Sequence, residues 1–269
     1  MADISLSASR RWKKPPLIKS RQLRWGLGLG FAIYLTLAFG TTEIDWGRVA
    51  EGVPRGARFL AGFFPPDFVS RWDAIVDGIA ESLWMTVIST VVGIALSIPV
   101  GLGAARNLAP KPVYYFCRAI LAVSRSFQEI IIAIFCVKLF GFGPFAGFVT
   151  LSFATIGFYG KLLAEDIEDM DPVQAEAVRA TGAGWFQWLN YAVQPQVLPR
   201  MIGLGLYRLD INFRESAVVG IVGAGGIGAT LTTAFDRYEF DSAAAILLVI
   251  IAIVMAVEYT SGYVRKWVQ

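Results

Sequence analysis

The sequence predicts an all-α, polytopic membrane protein with about six transmembrane helices. Three observations carry this expectation. Hydrophobic residues make up 55 % of the 269 and charged ones only 17 %, whereas a soluble domain carries about 25 % charge. The mean hydropathy of +0.56 implies more apolar surface than one water-solvated core can hide. Several long stretches contain no charge at all, and roughly 20 apolar residues suffice to cross a hydrocarbon core.

Taken in order, the chain opens with a basic arm, 1–24. It holds Arg10, Arg11, Lys13, Lys14, Lys19, Arg21 and Arg24 against the single acid Asp3. Such an arm could bind nucleic acid. Apolar residues follow at once, so it reads instead as the cytoplasmic flank of a first membrane helix at 25–42, and no nucleic-acid partner is expected. The lack of a small-residue cleavage site after that helix disfavours a cleaved signal peptide. The outer connection 43–77 contains Pro54, Pro65 and Pro66. Its aromatics Phe59, Phe63, Phe64, Phe68 and Trp72 suggest a helix lying in the lipid interface. A membrane core, 78–263, follows. Uncharged runs place spans at 82–105, 139–160 and 242–257. Two weaker spans, 113–137 and 200–221, are interrupted by charge. A short tail, 264–269, closes the chain.

An even number of spans puts both termini on one side. Lys and Arg are richer on the side of the amino-terminal arm, where Arg106, Lys111, Lys161, Arg179, Arg200, Arg265 and Lys266 also fall. The opposite side receives Arg48, Arg55, Arg58, Arg71, Lys138 and Arg237. Positive-inside bias therefore predicts two cytoplasmic termini.

The chain has no histidine. That excludes Ser-His-Asp triads, histidine bases and HExxH zinc sites. Cys117 and Cys136 form no CxxC pair and read as intramembrane packing, so no metal site is expected.

The cytoplasmic stretch of about 165–199 has its own pattern. Asp171-Pro172-Val173-Gln174 reads as a helix start, with Asp171 at the N-cap, Pro172 in the first turn and Gln174 closing a capping box. Val173, Ala177 and Ala180 share a face, and Gly182 and Gly184 stop the helix. Trp185, Trp188, Leu189 and Ala192 then repeat at helical spacing, and Pro195 and Pro199 are expected to end that second helix. Two short helices joined by glycine make a rigid knob. An ordinary loop resting its apolar face on the bilayer is the alternative.

Glu176-Ala177-Val178, with Gly182 and Pro195 following, resembles the EAA signature of bacterial ABC-importer permeases. Val178, Ala192 and Gln194 depart from the pattern, and Leu198-Pro199 repeats its Leu-Pro pair one turn later. The resemblance implies the type I ABC-importer permease fold. It also implies that the loop docks on a nucleotide-binding subunit through Asp171, Glu176, Ala177, Gly182, Trp185 and Pro195. No GxxxxGK[ST] phosphate loop occurs in the chain. The resemblance thus implies a transporter subunit and not an enzyme, with no cofactor of its own and with ATP and magnesium held by the partner. Two ATP-binding subunits, a second permease copy or paralogue, and a periplasmic substrate-binding protein are the implied partners, in a bacterial inner membrane.

Residues 223–228, GAGGIG, spell a literal GxGxxG. A dinucleotide fold would need a preceding strand and alternating βαβ units, which the pattern lacks. A glycine-rich break at Gly223, Gly225, Gly226 and Gly228, between membrane segments, fits better. The wider run from Asp210 to Gly228, with Asn212, Phe213 and Arg214, resembles permeases of phosphonate and related phosphorus-oxyanion importers. Methionine-importer permeases share its plan.

Arginines inside a span cost about 2.5–3.5 kcal/mol each on an insertion scale, so Arg118, Arg125, Arg208 and Arg214 need a partner or a wet path. Pairing with Glu129, Asp210 or Glu215 is one reading, and Asp210 and Arg214 stand at i,i+4. The other is a translocation path, where a guanidinium fork suits a tetrahedral oxyanion. Arg214 is the first candidate and Arg125 the second, with Asn212, Ser124, Ser126 and Gln128 as polar companions. A membrane-embedded phosphotransferase or lipid-modifying enzyme is the rival class, and it lacks a compact acid–base constellation. A membrane scaffold would leave the intramembrane arginines unexplained.

Overall fold

The computed structural model describes residues 18, 20–42 and 45–268, without the side chains of 264–268. The basic residues Arg10, Arg11, Lys13, Lys14 and Lys19 and the Arg265 and Lys266 side chains lie outside the described part. The helices are α1 (Arg21–Thr41), α2 (Trp46–Ala61), α3 (Trp72–Ala104), α4 (Lys111–Ser126), α5 (Glu129–Phe140), α6 (Pro144–Glu168), α7 (Pro172–Ala180), α8 (Trp185–Trp188), α9 (Gln194–Ile221), α10 (Gly226–Asp236) and α11 (Phe240–Val268). Five helical stretches among the described residues are long and apolar enough to cross a membrane, or six if α4 and α5 form one span.

The chain divides into two compact units, Met1–Arg58 and Phe59–Gln269. In the first, α1 is capped by the Ser20 hydroxyl, which accepts from the Leu23 amide at 3.3 Å. It buries none of its residues. The connection 43–77 contains one helix, α2, and its apolar stripe is not the aromatic series. Trp46, Val49 and Val53 share one side, while Arg48, Glu51 and Arg55 share the other. Phe63, Phe64 and Phe68 lie beyond the helix, and α3 begins already at Trp72.

The second unit is built around α3 and α6, which run side by side. Gly93 lets them approach: a Cβ there would stand 2.5 Å from Thr155 Cβ. Small residues at such contacts give intramembrane packing its close backbone approach. At the end of the bundle where α3 and α11 begin, the Asp67 amide donates to Asp241 O at 3.1 Å. Arg71 hydrogen-bonds Glu239, tying the start of α3 to that of α11.

One expectation is refined here and another fails. The stretch 113–137 is not one straight span. α4 and α5 meet at a 93° bend, because Phe127 and Gln128 adopt extended backbone angles. A buried helix cannot leave backbone groups unpaired in lipid, so such a break needs protein or water beside it. Nor do Pro195 and Pro199 end a helix. From Trp185 the chain runs without a non-helical residue into α9, through a π-helical turn at Leu189–Val193. The Gln194 amide reaches back to Leu189 O, five residues away. This wider turn directly precedes Pro195, whose ring disfavours regular α geometry and whose nitrogen has no hydrogen to donate.

Two outcomes follow from this packing. Gly93→Ala should destabilise the detergent-solubilised protein by about 1–3 kcal/mol through overpacking. Gly262→Ala, where a Cβ meets nothing within 4 Å, should leave the thermal midpoint unchanged. The second outcome concerns pH. Arg71 holds the Glu239 carboxyl below its ordinary value of 4.5. The stability from this contact is full above that value and is lost as pH falls through the lowered one. Arg71→Ala should flatten that acid limb in a melting series from pH 6 to 3.

Candidate functional site

The knob of α7 and α8 has a braced interior and an exposed outer surface. Asp171 Oδ1 caps α7 by accepting from the Val173 amide at 2.9 Å. The capping box does not close on Gln174: the Asp171 amide donates instead to Gln196 Oε1 of α9, at 2.9 Å. Gly182, at φ +80°, turns the chain, a conformation that side-chain-bearing residues rarely adopt. The Gln187 side chain accepts from the Gly184 amide at 2.9 Å and starts α8.

Trp188 is the brace. It is buried, its Nε1 donates to Ala175 O at 2.9 Å, and the Arg179 guanidinium lies 4.1 Å from its ring centroid. The buried side of α7 is therefore Ala175, helped by Val178. The expected face, Val173, Ala177 and Ala180, points outward. Val173, Trp185, Phe186 and Tyr191 are all at least half exposed. Glu176 is exposed, and Pro195 sits at the start of α9. Glu168 ties the knob's base to its neighbours: it accepts from the Arg106 amide at 2.7 Å and from Arg118 Nη2 at 2.9 Å. Arg118 thus pairs with Glu168 and not with Glu129.

The second constellation lies midway along the spans. Thr155 of α6 is its centre. Its hydroxyl accepts from Arg208 Nε and from Asn212 Nδ2, both at 3.1 Å, and donates to Leu151 O at 2.6 Å. Asn212 Nδ2 also reaches Thr90 Oγ1 of α3 at 2.8 Å. Arg208, Asn212, Ser216 and Val219 are buried and share one side of α9; Tyr207, Arg214, Val218 and Ile221 share the other. Arg214 keeps its side chain 54 % exposed while bonding Asp210 at 2.8 Å, the i,i+4 pair expected.

The sequence-predicted path residues therefore separate. Asn212 and Ser124 are consumed in helix packing, the latter donating to Phe153 O at 2.8 Å. Arg125, Gln128 and Arg214 stay exposed. Arg125 makes no ion pair among the described residues. The sequence marks Arg208 as a charge needing a partner and not as a site residue. Its position on the polar stripe with Asn212 and Ser216 is the signal that marks it.

The glycine run forms the break expected between membrane segments. α9 ends at Ile221 and α10 starts at Gly226, with Gly223, Gly225 and Gly226 at positive φ. The Gly226 amide donates to Glu81 Oε2 at 2.8 Å and the Ile227 amide to Ser82 Oγ at 2.9 Å. Gly228 meets the backbone of Ala217 and Gly220. A carboxylate from α3 thus fills the helix N-terminus where a dinucleotide fold would hold a pyrophosphate.

With this geometry in view, comparisons with known proteins are direct. The family described as "Binding-protein-dependent transport system inner membrane component" matches residues 97–268. The phosphate-import permease protein PhnE of Mycolicibacterium smegmatis is 43 % identical over 250 residues, 93 % of this chain but 47 % of the relative; the chain spans about half its length. The phosphite transport system permease protein PtxC of Stutzerimonas stutzeri is 36 % identical over 256 residues, covering 93 % of each. Among solved structures, an inward-facing form of the MetNI methionine ABC transporter superposes with a TM-score of 0.64 at 24 % identity, over 72 % of this chain and 96 % of that one.

Trp188→Phe removes the hydrogen bond to Ala175 but keeps the ring. It should cost about 1 kcal/mol of local stability, seen as faster protease cleavage within 171–188 while the spans remain protected.

Proposed function

Because the chain belongs to the binding-protein-dependent transport family of inner-membrane components, we propose that it is the membrane-spanning subunit of an ATP-driven importer for a phosphorus oxyanion: phosphonate, phosphite, hypophosphite or phosphate. The fold is that of type I ABC-importer permeases. The observation that carries the substrate class is the 36 % identity to a phosphite permease, spread over 93 % of both chains. A D-methionine transport permease of Vibrio cholerae is 26 % identical over 206 residues, which makes methionine the weaker reading.

In this reading a separate subunit binds ATP and magnesium and hydrolyses the nucleotide. Two such subunits dock on two permeases, identical or paralogous, and a periplasmic binding protein delivers the anion. Both termini are cytoplasmic, and α2 lies in the outer lipid interface. The exposed apolar surface of the knob supports docking: Val173 and Ala177 of α7 and Trp185 of α8 are open to water, as is Glu176, and Trp188 braces the two helices from within. Glu176 and Asp171 supply polar contacts at its edge, Gly182 its turn, and Pro195 its junction with α9.

Exposed Arg214, Arg125 and Gln128 support the path assignment, because a surface open in one permease becomes a pore wall in a pair. Asp210 neutralises Arg214 between passages and keeps anion binding weak enough for release. The glycine break lets α10 fold back against α3 beside that path.

Reconstituted with its ATPase and binding protein, the chain should import phosphite in an ATP-dependent manner; a complex that imports no phosphorus oxyanion overturns the substrate class. Arg214→Ala should lower uptake at least several-fold with the complex intact, and normal uptake would remove it from the path. Glu176→Lys or Gly182→Pro should abolish anion-stimulated ATP hydrolysis or detach the ATPase. Persistence of both association and stimulation would refute the docking role.

A further inference from the structure

The most unusual side chain in the membrane core is Arg208. Its side chain is 3 % exposed. Nε bonds Thr155, and the guanidinium carbon lies 5.2 Å from the centroid of the Phe158 ring. Nη2, however, is buried without a hydrogen-bond partner among the described residues. A buried donor left unmade is costly, and natural proteins rarely tolerate one without a reason.

The nearest carboxylate is Glu129, whose Oε1 stands 4.0 Å from Nη2. That is outside hydrogen-bond range. Two other arginine pairs of the core helices do close, Arg118–Glu168 at 2.9 Å and Arg214–Asp210 at 2.8 Å. Glu129 also occupies a special place. It is the first residue of α5, directly after the extended Phe127 and Gln128 that bend the α4–α5 pair by 93°. Its side chain is 28 % exposed, so it reaches from the surface at the bend towards the buried arginine.

The geometry points to Arg208 as an anion-binding group of the transport path, closed in this state by Glu129. This rests on the phosphorus-oxyanion reading and deepens it. The passing oxyanion displaces the Glu129 carboxylate and takes the free Nη2 hydrogens. One anion replaces another, so the guanidinium is never left bare in a low-dielectric interior, and the internal carboxylate competes the substrate off again. The extended residues at the bend give Glu129 a place to swing without unwinding a helix.

The test uses the complete complex of permease and ATPase in lipid nanodiscs, with radiolabelled inorganic phosphite as probe. Glu129→Gln removes the internal competitor at nearly constant shape. It should tighten equilibrium phosphite binding by at least ten-fold and slow net uptake, because release becomes limiting. In the Glu129→Gln background, Arg208→Gln should erase the gain. Should that double variant fail to assemble, binding of methionine to Glu129→Gln decides instead: a gain for phosphite without one for this zwitterion supports the anion site. Unchanged phosphite binding in Glu129→Gln, an equal gain for methionine, or a gain that persists without Arg208 overturns the inference. These results count against the anion site alone when the wild-type complex imports phosphite. A wild-type complex that imports no phosphorus oxyanion overturns this inference and the functional reading together.

Discussion

The hydroxyl of Thr155 has no water to turn to, and much of the bundle is arranged so that it does not need any. In hydrocarbon every polar group must find its partner within the protein. Thr155 receives Arg208 from one side and Asn212 from another, and passes its own proton to the backbone of α6. Asn212 extends the chain of bonds to Thr90 on α3. Three spans are thereby pinned in register by one small hydroxyl. Gly93 is the steric counterpart, opening the groove into which Thr155 fits. An apolar side chain at 155 would fill the space and strand a guanidinium and an amide.

The same requirement explains where the helices are allowed to fail. The bend between α4 and α5 and the glycine turn before α10 are two such interruptions among the described residues. The turn before α10 is supplied with partners from α3: Glu81 and Ser82 receive the free amides. The bend brings Glu129 towards Arg208. Breaks sit beside charge because charge is what can satisfy them, or be satisfied by them.

Much of this was legible in the sequence, and the misses have physical causes. Uncharged runs located α1, α3, α6 and α11, since hydropathy reports burial in lipid directly. The same measure is blind to backbone angle, so 113–137 reads as one span although Phe127 and Gln128 break it. Proline rules assume regular i→i−4 bonding. A π turn before Pro195 removes that assumption, and the two prolines pass unnoticed inside a helix. For the candidate site, the Asp210–Arg214 spacing was readable as an ion pair. The contrast between Arg208 and Arg214 was harder, because charge alone does not say which way a residue faces. The 3.6-residue stripe shared by Arg208, Asn212 and Ser216 does say it, and places Arg214 opposite.

The continuity of the helix through the π turn has a mechanical meaning. Trp188, packed into the knob, and Arg208, packed into the membrane core, lie on one unbroken run of helical residues. At 1.5 Å per residue they are about 30 Å apart. A joint at Pro195 would let a push on the knob dissipate as local bending. With the helical run unbroken, a tilt or twist imposed at the knob can be carried towards mid-membrane and the guanidinium. In an importer of the proposed kind, the nucleotide-binding partner would hold the far end of a lever whose near end is the charge that meets the substrate.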